Sequence, residues 1–341
     1  MLVVAAVVIG GYVAFSGGGS RKDYSGDGSG TTTAEVNKGD GIDAIAKTLV
    51  TADVVGSAHA FKAAAAANPA SDGIQPGFYR LRKHMSGRSA LSLLLNPSVS
   101  LINTKVTIPE GLTEKDIVAK IATALAVSPD VVQKAADDVS DLAPGGYSPA
   151  SGSLSTLEGF LYPATYTFDP ATSPNDAIQQ LVTAYTSEDR QLGFASGAAK
   201  LSITPYQALI IASIAQAEVK FADDAPKVAR VILNRLAQNM PLQIDATSVY
   251  GAELKGLDPA KVTYSTLDSP FNTYTNKGLP PTPIGNPGET SMQGAISPSA
   301  GTWLFYVNGD AAGHLAFFSD ADAFKVGQQK CHDNNWGCAA P

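Results

Sequence analysis

The residue of this sequence best suited to acid chemistry is a carboxylate at the end of an apolar run. In residues 204–218, TPYQALIIASIAQAE, the side chains Gln207, Ile210, Ile211, Ile214 and Glu218 fall on one stripe at helical spacing. Most remaining positions are Ala, Leu or Ile, so the pattern predicts a helix buried nearly all round, with Glu218 ending its apolar stripe. Withdrawal from water raises a carboxyl pKa, and the negative end of the helix dipole raises it further. A carboxyl that keeps its proton near neutral pH can deliver it to a leaving oxygen, the step that opens a glycosidic bond. The competing reading is structural: Glu218 paired with an arginine, which lowers its pKa, or turned to solvent by fraying of the last turn.

Other chemistry-bearing side chains cluster downstream. Arg235 projects within the predicted core stripe of Val228, Val231, Ile232 and Leu236, and a guanidinium there needs a partner. Glu218, Asp245 or a bound sugar are the candidates; pairing with Asp245, or a role in positioning loops, is favoured. Gln243, Asp245 and Thr247 in PLQIDATSVYG, and Asn272 and Tyr274 in FNTYTNKG, can hydrogen-bond sugar hydroxyls and N-acetyl groups or stabilise developing positive charge. Each can equally hold a loop, Thr247 most of all. Histidines occur only at 59, 84, 314 and 332, without the paired spacing of hydrolytic zinc sites, and the two cysteines, Cys331 and Cys338, exclude a four-thiolate site. No metal and no cofactor are expected. The two thiols are either free or joined in one short-loop disulfide.

The elements that must position these groups follow from caps and periodicity. Thr204 as N-cap, Pro205 at the first helical position and Gln207 at the third secure the start of the Glu218 helix. Helices are predicted over 175–191 and 223–238, an irregular stretch after Pro241, and a hairpin of 303–307 with 314–318 around NGDAAG. Further upstream the order is strand, helix, helix, strand, helix, from Ala34 to Leu95, and a second strand-to-helix pass begins at Val106 and Ile108 with Thr113 as N-cap. Such small modules bind glycans or serve as spacers. The fold class expected is α+β.

Residues 2–15, LVVAAVVIGGYVAF, carry no charge and precede a Gly/Ser-rich stretch, reading as a membrane anchor and flexible linker, with a core helix of a soluble domain as the alternative. Fourteen residues rise only about 21 Å as a helix against roughly 30 Å of hydrocarbon, so the anchor is expected to be truncated. With 24 Lys+Arg against 31 Asp+Glu, net charge −7, a grip on nucleic-acid backbones is disfavoured.

The segments ASIAQAE and KVARVILNRLAQNMPLQIDATSVYG, together with LEGFLYPATY (157–166), FNTYTNKGLPPTPIGNPG (271–288) and GHLAFFSD (313–320), resemble the endolytic murein transglycosylases, the YceG-like family of bacterial envelopes. The strand–helix repeats before them resemble that family's LysM-like region. The resemblance implies an anchor over 1–15, a linker over 16–34, a LysM-like region over 35–155, a mixed α+β catalytic domain over 156–320 and a C-terminal tail over 321–341. It implies a single-pass membrane protein, catalytic domain outside the cytoplasm, that cuts glycan strands of nascent peptidoglycan with formation of 1,6-anhydro ends. Peptidoglycan is the expected partner, with peptidoglycan synthases as candidates. Many relatives carry two acids at the helix end; here the first is Gln216, so the resemblance puts catalysis on Glu218. Arg235, Gln243, Asp245, Thr247, Asn272 and Tyr274 are the expected substrate contacts. The alternatives are a muramidase-type hydrolase with Asp245 as base, and a non-catalytic glycan-binding scaffold.

Overall fold

The computed structural model describes residues 22–137, 142–147 and 156–338. The expected anchor over 1–15 lies outside the described residues. Two compact units divide after Asn103.

In the first unit β1 (Asp27–Val36) pairs antiparallel with β2 (Gly77–Met85), and β3 (Leu101–Ile102) adds to the other edge of β2. Between β1 and β2 lie α1 (Ile42–Thr51) and α2 (Ala58–Ala66); α3 (Gly87–Leu94) and the short α4 (Pro97–Ser100) follow. Alternation along the strands turns Ala34, Val36, Tyr79, Leu81 and Met85 inward, where they meet Ile45, Leu49, Phe61 and Leu91 of the helices. Ser57 and Ser86 cap α2 and α3 through their hydroxyls. The linker expected over 16–34 does not extend to residue 34, and its residues 16–21 lie outside the described residues. Residues 27–34 are strand, because Thr31, Thr32 and Thr33 suit a ladder and the irregular register between Ser29 and Thr32 absorbs Gly30. At Gly28, φ is 69° and a β-carbon would collide with the Lys83 carbonyl, so glycine is required where β1 crosses β2.

In the second unit β4 (Thr104–Thr107) pairs antiparallel with β5 (Thr165–Phe168). The second strand-to-helix pass therefore closes on a strand more than fifty residues away. It shares a core with α5 (Glu114–Leu125), α6 (Pro129–Ala136) and α7 (Pro174–Leu192), built on Ile117, Ile121, Leu157, Leu161, Ile178 and Leu181. The division at Asn103 thus falls before this pass, whereas the sequence suggests one near residue 155. A second core surrounds α9 (Pro205–Glu218), contributed by α8 (Phe194–Lys200), α10 (Ala225–Ala237), α11 (Asp245–Leu254) and α12 (Glu289–Ile296). The expected hairpin is β6 (Phe305–Asn308) with β7 (Leu315–Phe318). Beyond it the chain forms a helix instead of a tail, α13 (Ala321–Asp333), whose Phe324 ring stacks on Phe305 with centroids 5.0 Å apart. Among the described residues no single helix is long and apolar enough to cross a membrane.

Candidate active site

The helix that carries the acid is fixed at its start and sealed along its length. Thr204 and Gln207 form a reciprocal capping box, and Tyr206 and every residue from Ala208 to Ala215 are buried. Val219 is extended, so the helix stops at Glu218 and leaves its carboxyl at the C-terminal end. Gln216 points elsewhere: its Oε1 accepts the Gly288 N–H at 3.1 Å, which ties α9 to the start of α12.

Glu218 lies on a cleft of about 450 Å³, within the size range of small-ligand sites. Its Oε2 accepts a hydrogen bond from the Tyr306 hydroxyl at 2.8 Å. Burial pushes the carboxyl pKa upward, the Tyr306 hydrogen bond opposes that, the Asp245 charge adds to it, and the Ala246 backbone N–H opposes it. The net effect is upward, which favours the protonated acid. Tyr306 is itself held neutral, first by burial and then by the neighbouring Glu218 charge.

Arg235 is buried, with 8 % exposure, and does not clasp the acid. Its Nε donates to the Leu304 carbonyl at 2.6 Å, and its Nη1 donates to the carbonyls of Leu242 at 2.5 Å and Pro241 at 3.4 Å. Its Cζ lies 5.3 Å from the Phe305 ring centroid. The favoured pairing with Asp245 does not form; the fork satisfies loop carbonyls instead, holding the chain after α10 beside the start of β6. Asp245 accepts from the Tyr274 hydroxyl at 2.6 Å.

The expected contacts separate into two groups. Glu218, Arg235, Gln243, Asp245 and Tyr274 line the cleft together. Gln243 is exposed there on left-handed backbone, φ 49°, with its N–H donated to the Thr273 carbonyl. Thr247 and Asn272 do not line it, and both are fully buried. The Thr247 hydroxyl donates to the Ile244 carbonyl at 2.7 Å and meets the Thr273 hydroxyl at 2.9 Å. Asn272 donates to the Leu267 carbonyl and accepts the Tyr274 N–H. As direct sugar contacts they are corrected: their polar groups are consumed in folding the loops that present Asp245 and Tyr274.

Sequence reasoning missed Tyr306 and the C-terminal wall of Phe324, Gln328, Gly337 and Cys338, all of which line the cleft. Tyr306 sits in the foreseen hairpin, but nothing local signals which helix end it faces. Cys331 and Cys338 are bridged. Among the described residues no cluster of His, Cys, Asp and Glu is arranged to hold a metal ion. The site joins an acid whose pKa is raised to the aromatic side chains of Tyr274 and Tyr306, and to Gln243, Asp245 and Gln328, whose polar ends suit hydroxyl and amide groups.

Three comparisons bear on this arrangement. The sequence model of the YceG-like family matches residues 34–330. The chain is 33% identical over 290 residues to an endolytic murein transglycosylase of Bacillus subtilis, covering 81% of this chain and 79% of the relative. It is 26% identical over 287 residues to endolytic murein transglycosylases of Streptococcus pneumoniae, covering 77% of this chain and spanning about half the length of those relatives, 50%. The crystal structure of a yceG-like protein from Listeria monocytogenes aligns with a TM-score of 0.59 at 28% identity, over 87% of this chain and 98% of that one.

Proposed function

The chain belongs to the YceG-like family, and on that premise we propose that it is an endolytic murein transglycosylase. Its substrate is the glycan strand of peptidoglycan, cut at the bond between N-acetylmuramic acid and N-acetylglucosamine. The single observation that carries the reading is a carboxyl, Glu218, whose pKa burial raises at the end of a buried helix, yet open to a cleft and bonded by Tyr306.

Glu218 gives its proton to the glycosidic oxygen as the bond from that oxygen to the muramoyl C1 breaks. The resulting carboxylate then takes the proton of the muramoyl C6 hydroxyl, whose oxygen bonds to C1 and closes the 1,6-anhydro ring. Glu218 ends the cycle protonated, and no water is consumed, so one acid suffices where ordinary glycosidases use two. The Tyr306 hydroxyl supports the carboxylate stage, and the Asp245 and Tyr274 side chains flank the developing positive charge. Arg235 positions the loops of this site through three carbonyls and is not itself required to meet the substrate.

Digestion of purified sacculi tests this. The expected outcome is soluble fragments ending in anhydro-muramoyl groups, abolished by Glu218→Gln. Asp245 beside Glu218 is the one feature favouring a hydrolase; reducing ends in place of anhydro ends would select that reading. Sacculus binding without release of fragments would select a scaffold.

The same reading places the catalytic unit outside the cytoplasm on an anchor that includes residues 2–15. The apolar run supports it, as does the disulfide, which persists outside the reducing cytosol. The strand–helix–helix–strand order of the first unit supports a LysM-like module that binds glycan beside the synthases that make it.

A further inference from the structure

The family match ends at residue 330, but the candidate cleft does not. Gly337 and Cys338 line it, along with Phe324 and Gln328 of α13 and Glu218 itself. The segment after α13 returns to the cleft because Cys331, fully buried on that helix, is bridged to Cys338. Two hydrogen bonds shape the return. The Trp336 N–H donates to the Cys331 carbonyl at 3.0 Å, and Asn308 Nδ2 donates to the Trp336 carbonyl at 2.9 Å. Asn308 ends β6, the strand whose Tyr306 bonds the acid. Residues 331–338 therefore form a hook fastened at one side to α13 and at the other to the strand that supports the acid.

Resting on the lyase reading above, we propose that this disulfide-closed hook is a substrate-contacting wall that determines how a glycan strand seats beside Glu218. Gly337 has left-handed backbone, φ 89°, and carries no side chain, so the main chain there can approach a sugar closely. The Gln328 amide beside it can exchange hydrogen bonds with an N-acetyl group or a hydroxyl. The bridge keeps these groups in place before the substrate arrives, which removes an ordering cost from binding. Without it, among the described residues, the hydrogen bond from Asn308 is what ties the segment to the strand.

The test uses the full chain carrying Glu218→Gln, so that substrate is bound but not cut, and peptide-free glycan strands prepared by amidase treatment of peptidoglycan. Calorimetric Kd is measured for the oxidised protein, for protein reduced with dithiothreitol, and for the Cys331→Ser/Cys338→Ser double variant. Gln328→Ala, with the bridge intact, is measured beside them. Reduction and the double variant are expected to weaken binding about tenfold, and Gln328→Ala severalfold. Equal Kd for oxidised and reduced protein, with both thiols shown to be alkylated, overturns the proposal, as does failure of the oxidised protein to bind. If reduction unfolds the chain by circular dichroism, Gln328→Ala decides, and an unchanged Kd overturns it. Bridge-dependent binding together with wild-type protein that makes no anhydro ends sinks the lyase reading alone.

Discussion

The Tyr306 hydroxyl donates a hydrogen bond of 2.8 Å to Glu218 Oε2, joining strand β6 to the end of helix α9 across 88 residues of sequence. This bond favours the ionised carboxyl, against burial, which favours the neutral one. Glu218 must be neutral to give its proton and ionised to take the next, so the balance of the two effects sets the pH range of the reaction. Tyr306→Phe removes the donor and keeps the ring. The Glu218 pKa is then expected to rise further, moving the alkaline limb of kcat/KM to higher pH, since the hydrogen bond to the charged carboxyl is lost. The rate at the optimum is expected to fall about tenfold, because the carboxylate formed after proton transfer loses its support. A pH–rate profile of anhydro-end formation checks both; an alkaline limb that stays in place would exclude the tuning role.

Arg235 carries a different prediction because its partners are carbonyls, not an acid. Replacing it leaves the Leu242 carbonyl without its donor in a buried place and the Leu304 carbonyl without its donor in a half-buried one. Arg235→Met is expected to cost about 2–4 kcal/mol of unfolding free energy. Arg235→Lys is expected to recover less than half of that, since an ammonium cannot reproduce a planar fork reaching both sides. Urea denaturation of the two variants measures the difference. An Arg235→Lys protein as stable as wild type would show that geometry is not what this side chain supplies.

Glu158 supplies a pH dependence of folding instead of catalysis. It is 2 % exposed; Oε1 accepts from the Glu114 N–H at 2.9 Å and Asn286 Nδ2 at 2.8 Å, and Oε2 accepts from the Tyr250 hydroxyl at 2.9 Å. Burial pushes its pKa from 4.5 up to about 8, partly offset by the Glu114 N–H and the Tyr250 hydroxyl, while the Glu114 and Asp116 charges add to it. Between those values the folded chain holds a proton that the unfolded chain has released. The stability linked to Glu158 is therefore fully present below 4.5 and is lost as pH rises through about 8. The thermal midpoint is expected to fall across that window, and Glu158→Gln, which cannot ionise, should flatten the slope. Calorimetric scans across the window compare the two; identical slopes would remove Glu158 as the source.

Much of this arrangement was legible because it is local. The α9 cap, its apolar period and its terminal acid all lie within fifteen consecutive residues, 204–218, and caps and periodicity are short-range signals. The hairpin was legible for the same reason. The Tyr306 contact was not, since no local pattern encodes which surface a strand meets 88 residues away. Thr247 and Asn272 misled because a polar side chain in an irregular stretch serves a ligand or its own backbone equally well from sequence; the structure gives both to the backbone. The helices α11 and α12 escaped notice because one mixes Thr, Ser and Val with a glycine and the other has only eight residues. The Gly-rich start of β1 reads as linker because composition cannot show that Gly28 sits against a partner strand.

Gln216 offers the sharpest test of which helix position does the chemistry. Two residues before Glu218 the helix has turned by about 160°, so a side chain there faces away from the cleft. Its Oε1 accepts the Gly288 N–H, and a carboxylate at the same place can accept that bond equally well. Gln216→Glu is therefore expected to fold normally and to leave kcat for anhydro-end formation within about twofold of wild type, because the new acid cannot reach the glycosidic oxygen. The combined Gln216→Glu/Glu218→Gln protein is expected to stay inactive, since an acid on the wrong face does not replace one on the cleft. Activity in that double variant, measured by release of soluble anhydro-muropeptides from sacculi, would place the proton donor at 216 and show that the end of α9 rearranges when the substrate binds.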